Sequence, residues 1–321
     1  MALTGQFEKR LGIGQESTWG SVGAVRRWIP FDSEAFGLPE YPANPVQEIW
    51  SNRALSRTFK GAKLPAPEFS MVVDPTNFGD ILKAAMGTSS VAQFGTFLAY
   101  LHTFTIQNVA ELPSLFGRVL EYGSFVYDYT GLRVNEFTLE APDNDVIKAS
   151  VKMLGKDRIT GTAMGGTFGT WQPYTQHANA QFLLDGAAAV DVKNWKLTFK
   201  NGLTQHVTSG TNNGPSFISS GRFDLMGEFV LLLQNETEVN KFLNGTATSL
   251  DILIQGGTFT TGTMKNTLRL TMPHIDYSAI PIKTENGVVS AGVSFIASFG
   301  TTALGTGQLI GQVINSVASY D

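Results

Sequence analysis

The sequence predicts an all-β protein with short flanking helices, built as a tandem duplication of one β-rich unit. Three observations carry that expectation. Arg222 to Gly245 reads RFDLMGEFVLLLQNETEVNKFLNG, a strand running into a two-turn helix. Phe69 to Gly87 repeats that grammar, and the two helix caps, Asp74 and Asn235, lie 161 residues apart, about half of the 321-residue chain. Glycine is abundant at 34 residues while charged residues make up only 16%, which fits many turns and surfaces buried in an assembly.

In the later unit the apolar run Phe229 to Leu233 stops at Gln234-Asn235. Asn235 suits an N-cap, Glu238 completes a capping box, and Gly245 suits the left-handed C-terminal position. In the earlier unit Phe69 to Val73 is the strand, Asp74 the cap, and Pro75 the first helical residue. Phe78, Ile81, Leu82 and Ala85 form its apolar stripe, and Gly87 closes it.

Residues 1–48 carry Trp19, Trp28 and four prolines from Pro30 to Pro45, which forbid a long helix. They read as an extended arm with anchoring aromatics, or as a loop lying on its own domain. Regular structure begins near Ile49. Tyr100 to Gln107 alternates as a strand, and Ser114 to Tyr129 holds one or two more. Thr130 to Leu154 is the clearest hairpin, with Pro142-Asp143-Asn144-Asp145 at its tip. Gly161 to Gly169 is the natural linker, dividing the chain into 49–165 and 166–321.

In the second half Ala180 to Leu184 and Val190 to Phe199 read as strands, and Asn201-Gly202 as a turn. Thr208 to Gly221, which includes Asn212 and Asn213, reads as a long exposed loop. Ser249 to Gln255, Thr267 to Met272 and Val288 to Phe299 are strands, with a hairpin signal at Asn286-Gly287. From Gly300 onward the chain reads as a Gly/Thr/Ser-rich tail.

Signatures of chemistry are scarce. His102, His177, His206 and His274 have no metal-ligand spacing, and the absence of cysteine excludes disulfides and thiolate metal sites. Asp143-Asn144-Asp145 lacks the central glycine and distant glutamate of a calcium loop. Gly305 to Gly311 misses a dinucleotide fingerprint by one residue and has no βαβ context. No nucleophile elbow or Walker loop is present, so neither an enzyme nor a cofactor is expected. A net charge of −4 gives no general attraction for nucleic acid. No run of about 18 apolar residues is long enough for a membrane span, and the N-terminus lacks a signal-peptide core. The missing signal-peptide core and the two internal helices weigh against a porin-like barrel.

Four segments resemble the tail tube proteins of bacteriophages with long non-contractile tails (siphophage type). Gly12-Ile13-Gly14-Gln15-Glu16-Ser17-Thr18-Trp19-Gly20 is similar to the family's opening motif, and Trp195 to Leu203 to its strand followed by Asn-Gly-Leu. Arg222 to Gly245 and Leu268 to Pro273 also resemble family elements. The resemblance implies β-sandwich tube domains with a flanking helix, whose inner sheets join between subunits around a lumen. It implies a virion structural protein, made in the host cytoplasm, that self-assembles into stacked rings through which DNA passes without specific binding.

A duplicated chain implies a trimeric ring with pseudo-sixfold symmetry; a single-domain chain implies a hexamer. The implied partners are other copies, a tape measure protein in the lumen, and tip or baseplate and terminator proteins at the ends. Trp19, Trp28, Asp143, Asn144, Asp145, Asn212 and Asn213 are candidate contacts between rings or subunits. The alternatives are a tail terminator, a capsid decoration protein, or a carbohydrate-binding β-sandwich.

Overall fold

In the computed structural model the described residues are 9–37, 43–46, 57–94, 99–122, 125–143, 145–162, 180–188, 192–209, 214–258, 264–285, 287–302 and 305–320. The chain opens with β1 (Arg10–Gln15), β2 (Arg27–Ile29), β3 (Ser33–Ala35), β4 (Ala43–Val46), β5 (Arg57–Lys60) and β6 (Glu68–Val72). Helix α1 (Phe78–Met86) follows, then β7 (Gly87–Gln93), β8 (Tyr100–Ile106), β9 (Leu115–Tyr122), β10 (Phe125–Ala141), β11 (Lys148–Leu154) and β12 (Asp157–Thr160). The second half begins with β13 (Ala180–Leu184), β14 (Ala187–Ala188), β15 (Val192–Lys200), β16 (Thr204–His206), β17 (Phe217–Ser219) and β18 (Asp224–Leu232). Helix α2 (Thr237–Leu243) leads to β19 (Thr248–Thr258), β20 (Lys265–Ala279), β21 (Ile282–Glu285), β22 (Val288–Ser298), β23 (Gly300–Thr302), β24 (Gly305–Gly307) and β25 (Ile310–Asn315). The all-β expectation with short helices holds.

Two long strands organise the sheets. The first part of β10 pairs with β9 and β12, and its second part with β11 and β15. β20 pairs with β25 through Thr267–Thr271 and with β22 through His274–Ala279, while β19 runs along its other edge. The result is an antiparallel main sheet ordered β3-β6-β11-β10-β15-β18-β22-β20. A second sheet runs β14-β13-β19-β20-β25-β8-β7, and a smaller one β2-β1-β9-β10-β12.

The main sheet takes β3, β6, β11 and β10 from the first half and β15, β18, β22 and β20 from the second. In both quartets the strand that leads toward a helix stands second. The returning strand of a hairpin then separates it from the long strand. One continuous core joins the halves: Phe137 on β10 stacks on Phe199 on β15, with ring centroids 4.0 Å apart.

α1 begins three residues later than the sequence pattern implies. Asp74 caps a preceding turn instead, its Oδ1 accepting the Thr76 N–H at 2.8 Å and the Asn77 N–H at 3.2 Å. α2 likewise begins after Glu236, with Asn235 Oδ1 accepting the Thr237 N–H at 3.0 Å. Gly87 (φ +101°) and Gly245 (φ +59°) close the two helices in conformations that a side chain rarely adopts.

Three other expectations are altered. Residues 10–35 of the expected arm are woven into sheets, with β1 between β2 and β9 and β3 against β6. The expected loop from Thr208 holds a strand, β17, because Ile218 is fully buried beside Leu112 and Leu203. The expected tail ends in β25, a central strand between β8 and β20, because Leu309, Ile310 and Val313 fill the core. Residues 163–169 of the expected linker, and Asn144, Asn212 and Asn213, lie outside the described residues.

Candidate functional site

In the main sheet β6, β11, β15, β18 and β22 alternate, as does the second part of β10, so one face is core and the other is uncovered. On β10, Phe137, Leu139 and Ala141 point inward, while Glu136, Thr138 and Glu140 point out. Register then sets the outer side chains in rows. One row runs Glu68, Lys152, Glu136, Lys200, Asp224, with opposite charges adjacent throughout. The next runs Ser33, Ser70, Ser150, Thr138, Thr198, Met226, Ile296, Asp276. A third runs Val72, Lys148, Glu140, Lys196, Glu228, Ser294.

These neighbours engage one another across the strands. Lys152 Nζ donates to Glu136 Oε1 at 2.9 Å, and Lys200 Nζ stands 3.5 Å from Glu136 Oε2. Hydrogen bonding from Lys152 is the main reason the Glu136 carboxyl titrates below its ordinary value. In the hydroxyl row Ser33 meets Ser70 at 2.8 Å and Thr138 meets Thr198 at 3.4 Å. The face is therefore mostly polar, with Glu136 bridged by two lysines and with Met226 and Ile296 as exposed apolar members of the second row. Six carboxylates (Glu68, Glu136, Glu140, Asp224, Glu228, Asp276) exceed four lysines (Lys148, Lys152, Lys196, Lys200), leaving a small acidic excess. An open groove of about 430 Å³ crosses the same face, bordered by Pro142, Asp143, Lys196, Glu228 and Pro281.

The N-terminal motif folds into a tight hub. Glu16 accepts the Gly131 N–H at 2.6 Å, the Ser114 hydroxyl at 2.7 Å and the Gly20 N–H at 2.8 Å. Burial raises the Glu16 pKa in spite of these bonds. Trp19 donates to the Gly131 carbonyl at 3.3 Å and lies under the Lys156 ammonium, 4.4 Å from the ring centroid. Trp28 packs over Gly12, where a Cβ would meet the indole at 2.8 Å. Asp143 and Asp145 stand exposed at the hairpin tip, 3.5 Å from Lys193 and 3.7 Å from Lys148 respectively. The structure thus separates the described candidates into a half-buried pair of indoles and an exposed acidic tip.

Among the described residues no group of three or more histidine, aspartate or glutamate side chains is placed to hold a metal. His102 is buried and bonds the Val317 carbonyl at 2.7 Å, while His206 stacks on Phe217 at 4.4 Å. Burial pushes the Tyr129 phenol up to about 12, and its hydroxyl donates to the Phe36 carbonyl at 2.6 Å.

Two features escaped sequence reasoning. Asn201, read as a turn residue, is buried and donates from Nδ2 to the carbonyls of Ala85 and Val134, both at 2.9 Å. Tyr320 is buried against Gly79 of α1, its hydroxyl bonded to Asn315 at 2.6 Å. Neither had a local signal, because Ala85 and Val134 lie far from Asn201 in sequence and Gly79 far from Tyr320.

A family model described as phage tail tube protein matches residues 6–302. No curated protein matches the sequence.

Proposed function

The chain belongs to the phage tail tube protein family, and from that premise we propose that copies of it close into stacked rings forming a hollow tube for DNA. The observation that carries this reading is the main sheet, with four strands from each half in the same order and one face uncovered. The two tube domains span about 49–165 and 166–321, with residues 1–48 belonging to the first. The β10–β15 ladder is then the junction between domains, and an equivalent junction recurs between chains.

Dimensions favour three chains per ring. Eight strands at about 4.8 Å spacing span about 38 Å, so three chains enclose a backbone circle about 37 Å across. Side chains of about 5 Å on each side leave about 27 Å, enough for a DNA duplex of about 20 Å. Untilted, two chains leave about 14 Å by the same geometry; strand tilt widens both backbone circles by a common factor, before the fixed side-chain layer is subtracted. The uncovered face lines the lumen in this arrangement. Its alternating charges and small acidic excess disfavour retention of the phosphate backbone.

The protein acts as a structural component of the tail and performs no catalysis. The exposed tip at Asp143 and Asp145 is the ring-to-ring contact we favour, with the half-buried edges of Trp19 and Trp28 as further contacts. A tape measure protein in the lumen and terminator and tip proteins at the ends complete the proposed partners. Negative-stain electron microscopy of the purified protein over a range of concentrations tests the reading. Hollow, axially striated tubes support it; single rings or monomers at every concentration, even with tail-tip extract added as initiator, refute it.

A further inference from the structure

The two helices occupy matching places in the two strand quartets, yet their surroundings differ. α1 is covered: all its residues except Lys83 are buried. It lies at the β10–β15 junction, where Phe78 meets Phe137 edge-on at 6.2 Å and Asn201 reaches the Ala85 carbonyl from the end of β15. Tyr320 and the Arg27–Asp80 ion pair close its other sides. α2 has no buried residue, and Phe242 and Leu243 are 38% and 70% exposed. Polar clasps hold it: Lys241 to Asp185 at 2.8 Å, Lys241 to Glu238 at 2.9 Å, and the Tyr277 hydroxyl to Glu238 at 2.5 Å. A seven-residue helix is unstable by itself and ordinarily depends on packing of its apolar face.

The long strands differ in the same sense. The second part of β10 has β11 on one side and β15 on the other. The matching part of β20 has β22 on one side, but β19 reaches only Ile275 on the other. Residues 276–279 therefore present an edge with no strand against it among the described residues. At the far end of the sheet, β3 pairs with β6 and has no strand on its outer edge among the described residues. A groove of about 280 Å³, lined by Leu184, Leu231, Leu233 and Glu238 among others, runs beside α2. An open edge and a bare apolar helix side by side are the halves of one unfilled junction.

We propose that α2, through Phe242 and Leu243, and the free edge of β20 at Asp276–Ala279 form the docking surface for the first half of a second copy, which adds its β3 edge there. The in-chain junction at β10, β15 and α1 is the template. The contact is head-to-tail, so it closes into a ring when the rotation allows. This inference rests on the ring-forming reading and names the surface that makes the ring.

The chain contains no cysteine, so introduced thiols report this contact alone. Two preparations, one carrying Ser33→Cys and the other Asp276→Cys, Ser278→Cys or Ala279→Cys, are mixed, assembled and oxidised. A disulfide dimer from at least one pairing is expected, since strand neighbours approach within bridging distance. Independently, Leu243→Asp is expected to leave the melting temperature of the unassembled chain unchanged and to raise the critical concentration for tubes at least tenfold. Tubes with no cross-link at any pairing, or with wild-type assembly by Leu243→Asp, overturn the docking surface while leaving the tube reading intact. A wild-type protein that never assembles overturns both.

Discussion

Asn201→Ala tests the joint between the halves. The Asn201 side chain is 7% exposed, and its amide nitrogen donates to Ala85 at the end of α1 and to Val134 on β10. Alanine leaves both carbonyls without that donor. At about 1–3 kcal/mol for each buried group left unpaired, and with the helix-end carbonyl partly compensated, the cost is about 2–4 kcal/mol. For a chain of this size about 2 °C is lost per kcal/mol, so the melting temperature falls by about 4–8 °C. Asn201→Asp, which replaces the donor with an acceptor facing two carbonyls, loses at least as much. The assay is thermal unfolding followed by circular dichroism, below the concentration at which tubes grow, because assembly stabilises the chain by mass action. A shift under 1 °C for Asn201→Ala refutes the claim that this amide ties the halves together.

Removing Tyr320 by Tyr320→Ala empties a buried site against α1 and costs about 3–5 kcal/mol, read by urea unfolding; a loss under 1 kcal/mol contradicts its anchoring role. Gly14→Ala forces a Cβ into the Ala24 carbonyl, and the expected product is insoluble protein, so a wild-type melting curve would count against the tight β1 crossing. Glu16 has a raised pKa, so the native state holds its proton more tightly than the unfolded chain. Its contribution is fully present below the ordinary glutamate range and declines as pH rises through the raised value. The stability gap between wild type and Glu16→Ala should narrow across that window, and a widening gap reverses the assignment. Reversing Glu68, Glu140 and Glu228 to lysine should leave tube shape unchanged but make tubes retain DNA at low salt; retention by wild-type tubes contradicts the non-binding lumen.

Much of the fold was legible because sheet alternation is a local property. Phe137, Leu139 and Ala141 against Glu136, Thr138 and Glu140 is readable without knowing any partner strand. The rows across the uncovered face were not legible, since each needs the register of several strands far apart in sequence. β25 was hidden for a related reason. Its apolar residues Ile310, Val313 and Ile314 do not alternate, and Gly311 is packed against Met86 and Phe104 from other elements. The helices show the same limit from the other side. Both stripes, Phe78-Ile81-Leu82-Ala85 and Val239-Phe242-Leu243, predict a buried face, yet only α1 finds its cover within the chain.

The most direct test of the central claim is a cryo-electron microscopy reconstruction of assembled tubes. Three chains per ring are expected, with β3-β6-β11-β10-β15-β18-β22-β20 of each lining the lumen and the Ser33-to-Thr198 hydroxyl row facing it. A reconstruction with that face on the outer wall, or buried between rings, contradicts that claim.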